Sequence, residues 1–252
     1  MENKIKAYFE RIGLEYNPEA QRGMDELTEL QYAHVTAVPY ENLDILNGVT
    51  LSLDNSDLFE KVVVRGRGGY CFELNGLFKW LLDCLGYKTV QYLARFLRGE
   101  SEIPKGRHRI IVAECEGKRV FCDVGVGNTA PRYPLILEEN TVQEQFGEAY
   151  RFKRDETLGW ILEERNSDGE WSNYISFFED PLFDKDFETP SFYCEKHPSS
   201  PFHTVMLSLK TADGRVTVDG NVFRRRKNGD VVEEKELTPE EFEKIKSVYF
   251  GL

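Results

Sequence analysis

Cys71 follows the glycine pair Gly68-Gly69 in the segment Arg67-Gly68-Gly69-Tyr70-Cys71-Phe72-Glu73-Leu74-Asn75. Leu74, Leu77, Phe78, Leu81, Leu82 and Leu85 then recur at helical spacing, and Gly86 is a stop signal. The cysteine is therefore expected in the first turn of an amphipathic helix. The free N–H groups and positive dipole end there favour an anion, so a thiolate would be stabilised. The two glycines permit a sharp turn and leave room for a ligand beside the sulfur.

A nucleophilic thiol needs a base and a group that orients the base. The histidines are His34, His108, His197 and His203. His34 closes a predicted helix, and His197 and His203 fall in or near an irregular stretch. His108 opens the predicted strand His108 to Cys115, which turns back at Glu116-Gly117 into Val120 to Val124. A two-residue turn sets Cys115 opposite Lys118, Val112 opposite Phe121 and Ile110 opposite Asp123. His108 and Asp123 then become diagonal neighbours on one face, roughly 7–8 Å apart along the backbone. One residue more or fewer in the turn would send them to opposite faces. Asp123 lies in the apolar run Val120 to Val126, where a buried carboxylate needs a partner. Cys71, His108 and Asp123 are the candidate catalytic set.

Elements able to position them follow from periodicity. Ile5, Tyr8, Phe9 and Ile12 mark one helix, and Met24, Leu27, Leu30 and His34 a second that must end before Pro39. Asp54 or Ser56 caps a third, which carries Leu58, Phe59, Val62 and Val63. After Gly86 the pattern changes to strands at 89–98, 107–115, 119–124, 150–152, 160–164 and 174–177, a small antiparallel barrel or curled sheet. Residues 181–201 read as an irregular connector. Strands at 204–211, 215–218, 221–226 and 231–237 precede a helix opened by Thr238-Pro239-Glu240-Glu241. The class is α+β, with expected units 1–86 (helical, with the nucleophile), 87–190 (barrel, with His and Asp) and 191–252 (strands closed by a helix).

Composition limits the partners. The 252 residues are 40% hydrophobic and 30% charged, with a formal net charge of -12, which argues against a nucleic-acid surface. The run Arg224-Arg225-Arg226-Lys227 reads as a solvated hairpin end, a candidate for an anionic ligand by charge alone. No apolar run approaches the ~18 residues that span a bilayer, and the start has no signal-peptide character. The five cysteines are irregularly spaced without a Cys-x-x-Cys pair, which points to a reducing cytoplasm and away from disulfides or structural zinc.

These residues, in this order, resemble the arylamine N-acetyltransferase family of bacteria. Arg67 to Asn75 is similar to its Arg-Gly-Gly-x-Cys-x-Glu-x-Asn segment, and Val38-Pro39-Tyr40-Glu41-Asn42-Leu43-Asp44 to its Pro-Phe-Glu-Asn-Leu segment. Cys122-Asp123-Val124-Gly125-Val126-Gly127 is similar to its Asp-Val-Gly-Phe-Gly segment, and Ser200-Pro201-Phe202 to its Ser-x-Phe element. The resemblance implies a papain- and transglutaminase-like core with a C-terminal α/β lid, acetyl-CoA as donor substrate with no permanently bound cofactor or metal, and an aromatic amine, hydrazine or N-hydroxyarylamine as acceptor. Cys71 would be acetylated, with His108 taking the thiol proton or holding an ion pair with it, and Asp123 orienting His108. Tyr40, Tyr70, Phe72, Asn75, Val124, Gly125, Val126, Gly127 and Phe202 would contact substrate or CoA. Gly125 and Gly127 would let pantetheine approach the backbone, and Phe202 would close the pocket. Tyr40 and Val126 depart from the family's aromatic positions, and Val126 should enlarge the acceptor pocket. A transglutaminase- or peptidase-type hydrolase, an amide synthase and a non-catalytic binding protein with the same fold remain alternatives.

Overall fold

The computed structural model describes residues 1–127, 130–166 and 168–252. The helical part comprises α1 (Glu2–Arg11), α2 (Met24–Ala37), the short strand β1 (Tyr40–Glu41), α3 (Leu43–Leu46), α4 (Asn55–Phe59) and α5 (Cys71–Leu85). α4 runs on through one π-turn, Glu60–Val64. α5 is apolar on nearly every side because it sits at the centre. Leu74, Leu77, Phe78, Leu81 and Leu82 are fully buried against α1, α2 and the barrel, each contributing about 1.5–3 kcal/mol. Gly86 ends it in the left-handed region at φ 92°.

The barrel strands are β2 (Lys88–Phe96), β3 (His108–Cys115), β4 (Lys118–Cys122), β5 (Leu135–Ile136), β6 (Gln143–Gln145), β7 (Glu148–Asp155), β8 (Gly159–Arg165) and β9 (Trp171–Phe177). They form one antiparallel eight-stranded sheet in the order β5-β4-β3-β2-β9-β8-β7-β6. Its two edges nearly close. The Gln143 side chain accepts from Ile136 N at 2.7 Å and donates to Ile136 O at 2.9 Å. The β3–β4 turn has positive φ at both Glu116 and Gly117, as a tight two-residue hairpin requires. It pairs Cys115 with Lys118 and Val112 with Phe121, the register expected from the sequence.

Residues 181–201 are not an irregular connector. They hold a 3-10 turn (Asp184–Phe187) and α6 (Glu188–Lys196). Pro190 falls within the first helical turn, where an N–H has no intrahelical acceptor to lose. Buried Phe187 and Cys194 pack the segment against Tyr70, Cys71 and Phe72.

The last strands are β10 (Met206–Thr211), β11 (Gly214–Asp219), β12 (Val222–Lys227) and β13 (Asp230–Glu236), followed by α7 (Pro239–Phe250) with a Thr238 capping box. β1 joins this sheet, in the order β1-β10-β11-β12-β13, so the helical part and the C-terminal sheet share hydrogen bonds. One face packs Leu207, Val216, Val218 and Phe223 against α7. The opposite face carries Ser208, Lys210, Thr217, Arg224 and Arg226. No helix among the described residues is long and apolar enough to cross a membrane.

Candidate active site

Cys71 is the first residue of α5, and Tyr70 is its N-cap. The turn that delivers it is clamped by charge. Arg67 donates to Glu41 Oε1 at 2.7 and 3.0 Å, and buried Lys61 reaches Glu73 at 2.8 Å and Asp44 at 2.7 Å. Gly68 and Gly69 serve this packing and leave no room for a ligand. A Cβ at Gly68 would meet the Pro39 carbonyl at 2.0 Å, and one at Gly69 would meet Glu73 Oε2 at 2.9 Å.

The thiol is 1% exposed, and Sγ lies 3.6 Å from the carbonyl oxygen of Arg107, the residue before His108. Burial pushes the Cys71 thiol well above its ordinary range. The nearby Cys194 thiol and Asp123 carboxylate add to this, while backbone N–H groups of Arg109 and Phe72 work against it. Burial thus opposes the stabilisation expected of a thiolate at the helix start.

His108 and Asp123, both 0% exposed, form a buried pair. His108 Nε2 and Asp123 Oδ2 are 2.6 Å apart. His108 Nδ1 is buried and has no hydrogen-bond partner among the described residues. The carboxylate is held from several sides. Its Oδ1 accepts from Asn75 Nδ2 at 2.8 Å and Gly125 N at 2.9 Å, and its backbone N–H donates to Gln31 Oε1 at 3.2 Å. Asn75 lies one helical turn beyond Cys71 and also accepts from Val124 N at 2.9 Å. One side chain thereby ties the cysteine's helix to the loop of the carboxylate. Gln31 went unnoticed in the sequence, although a polar residue on the apolar face of α2 was a signal. So did Asn42, which donates to Phe202 O at 2.8 Å and Thr204 O at 2.7 Å. His34 is structural: it bonds Tyr8 Oη at 2.7 Å, and burial pulls its imidazole down to about 3.

A cleft of about 380 Å3 lies between barrel and C-terminal sheet, lined by Tyr40, Phe96, Val126 and Phe202 on the apolar side and by Arg107 and Arg224 among the polar residues. Cys71 and His108 sit one side chain behind this lining. The Phe96 ring is 4.8 Å from the His108 ring, and Phe202 and Tyr40 belong to the cluster around Cys71. Of the sequence-derived binding residues, Tyr40, Val126 and Phe202 line the cleft. Tyr70, Phe72 and Asn75 do not, because their side chains fill the interior. Tyr70 Oη bonds Ser191 Oγ, Phe72 packs on Phe187, and Asn75 is spent on Asp123. Val124 is buried in the helical core. Gly125 and Gly127 give space to the chain itself, since added Cβ atoms would lie 2.7 Å from Cys71 Cα and 2.8 Å from the Tyr40 ring. The basic run is more than a solvated hairpin end: Arg224 and Arg226 border the cleft.

A family model described as N-acetyltransferase matches residues 23–252. An arylamine N-acetyltransferase of Mycobacterium tuberculosis is 34% identical over 223 residues, covering 86% of this chain and 77% of the relative. The chain belongs to the arylamine N-acetyltransferase family. The arylamine N-acetyltransferase of Salmonella typhimurium superposes with a TM-score of 0.93 at 29% identity, covering 99% of this chain and 91% of that one. The Mycobacterium marinum arylamine N-acetyltransferase in complex with CoA superposes with a TM-score of 0.90 at 30% identity, covering 98% and 92%. As an arylamine N-acetyltransferase family member, the chain is an acyltransferase.

Proposed function

We propose that this enzyme moves acetyl from acetyl-CoA to an arylamine, arylhydrazine or N-hydroxyarylamine through an acetyl-Cys71 intermediate. The observation that carries the reading is a fully buried His108 whose Nε2 is fixed on Asp123 and whose Nδ1 has no partner among the described residues, while the buried Cys71 Sγ lies 3.6 Å from the carbonyl oxygen of Arg107, the residue before His108. His108 Nδ1 takes the thiol proton as Sγ attacks the thioester carbonyl, and the imidazolium returns that proton to the departing CoA thiolate. The acceptor amine then attacks acetyl-Cys71, His108 takes one amine proton, and Cys71 leaves as the thiol. Thioester and thiol exchange at little cost, so the enzyme's task is to activate sulfur and exclude water. The N–H of Cys71 at the helix start is the candidate oxyanion donor. Tyr40, Phe96 and Phe202 form the wall before the sulfur and must swing aside to admit the thioester, and with Val126 they offer flat apolar surface to an aromatic acceptor.

The helical, barrel and lid units are taken as 1–86, 87–190 and 191–252. Five free cysteines favour the cytoplasm. Initial rates against both substrates test the reading. Parallel double-reciprocal lines and loss of transfer in Cys71→Ala are expected. Intersecting lines, or near-normal transfer by Cys71→Ala, refute it, and acceptor-independent cleavage of amides would favour a hydrolase.

A further inference from the structure

The register of the C-terminal sheet sets three cations in one row. Lys210 on β10 lies opposite Arg215 on β11, which lies opposite Arg226 on β12. Like charges opposed across strands destabilise a sheet, and the next residue in the row, on β13, is Val231. Arg132 joins from the barrel side, donating through Nη2 to the Gly214 carbonyl at 2.6 Å. Among the described residues one carboxylate pairs with the group: Glu148 on β7, 3.4 Å from Arg132 and 3.5 Å from Arg215. Asp213, nearby, is paired with Lys227. Four cations therefore share one carboxylate in a protein whose net charge is -12.

Lys210 is 2% exposed, and its Nζ has no partner among the described residues. An ammonium withdrawn from water without a counter-ion is costly. Burial pulls Lys210 down to about 7; Glu148 opposes this, while Arg132, Arg215 and Arg98 add to it. The Nε atoms of Arg132 and Arg215 are likewise buried without partners. Arg132, Arg215 and Arg226 line a cavity of about 350 Å3 together with Glu148 and Gly214. Lys210 is on the same sheet face, between Ser208 at the active-site cleft and Ala212 at this cavity.

We propose that this cavity is a binding site for a phosphoryl group, gripped by Arg132, Arg215 and Arg226 with the Lys210 charge behind them. Several guanidinium forks suit a multi-oxygen anion, and the cation excess calls for more than one negative charge. The site does not depend on the acyl-transfer reading, although Arg226 borders both the cavity and the cleft. Its phosphoryl group comes either from a free anion or from the nucleotide end of the acyl donor.

Inorganic pyrophosphate is the probe, titrated calorimetrically at low ionic strength. One site is expected on the unaltered protein, weakened ~10-fold or more in Lys210→Met and in Arg226→Gln, the loss of one charge-assisted contact. Lys210→Met should also raise the thermal midpoint of the ligand-free protein and reduce the rise that a fixed pyrophosphate concentration induces. Arg226→Gln, at the partly exposed rim, keeps the test open if Lys210→Met fails to fold. No binding, or equal binding by all three proteins, overturns the proposal. Displacement of pyrophosphate by CoA but not by pantetheine assigns the site to the donor's phosphoryl groups. Pyrophosphate binding that persists at saturating CoA assigns it to a free anion.

Discussion

Asp123→Asn tests how the imidazole is held. Asp123 Oδ1 accepts from two fixed donors, Asn75 Nδ2 at 2.8 Å and Gly125 N at 2.9 Å, while Oδ2 meets His108 Nε2 at 2.6 Å. An Asn side chain must place its oxygen where two donors point, so its NH2 faces His108 Nε2. That nitrogen must then accept, and the ring proton moves to Nδ1. In the proposed mechanism Nδ1 receives the thiol proton, so a nearly isosteric change would remove the base. Loss of the right tautomer in a triad costs ~10,000-fold, about 5 kcal/mol of transition-state stabilisation. Stability should fall far less, by about 1–3 kcal/mol, because every hydrogen bond retains a neutral counterpart. The assay is rapid-quench measurement of CoA released in the first turnover without acceptor, alongside thermal unfolding. A folded Asp123→Asn enzyme that acylates within tenfold of the unaltered rate would refute the tautomer argument.

Three further outcomes follow from the same geometry. In Gly125→Ala the new Cβ would sit 2.7 Å from Cys71 Cα and 2.7 Å from Asn75 Nδ2. The helix start or the Asp123 loop must then move, costing ~1–3 kcal/mol in unfolding and up to ~100-fold in acylation; unchanged thermal midpoint and rate would contradict this. Val126→Phe narrows the cleft bordered by Phe96 and Phe202, so KM for two-ring acceptors should rise ~10-fold while that of a small hydrazine barely changes; a uniform change across acceptors would count against it. Asp184 gives a pH dependence. Burial pushes its carboxyl up, but the hydrogen bond from Gln91 and the Arg109 guanidinium bring it, on balance, below its ordinary 3.8. Its contribution is therefore complete above 3.8 and lost as pH falls through the lower folded value. Denaturation across neutral to acid pH should show a shallower acid decline for Asp184→Asn, with lower stability at neutral pH because Arg109 stays buried without its carboxylate; parallel curves would exclude Asp184 as the source.

The parts of the site legible in the sequence are those fixed by short-range geometry. A two-residue turn and period-two alternation sufficed to put His108 and Asp123 on one face, and periodicity after Cys71 sufficed for its helix. What stayed hidden depends on contacts distant in sequence. Gln31 supports Asp123 across 92 residues, and Asn42 holds the Phe202 turn across 160. β1 is two residues long and exists because β10 pairs with it, so no local pattern marks it. The glycines misled in an instructive way. Gly68 and Gly125 suggested space for a ligand, yet the space is taken by Pro39 and Cys71 of the same chain. The burial of the thiol was also illegible, since position at a helix start is local while burial is a property of the whole fold. The irregular reading of 181–201 missed that Pro190 sits where a helix tolerates it.

The central claim is that Cys71 carries the acetyl group between donor and acceptor. Intact-mass measurement after incubation with acetyl-CoA and no acceptor tests it most directly. The account predicts a gain of one acetyl group, located on Cys71 by peptide mapping, absent in Cys71→Ala and discharged when an arylamine is added. A protein that turns over acetyl-CoA and amine yet never gains that mass, or gains it equally in Cys71→Ala, would contradict the account.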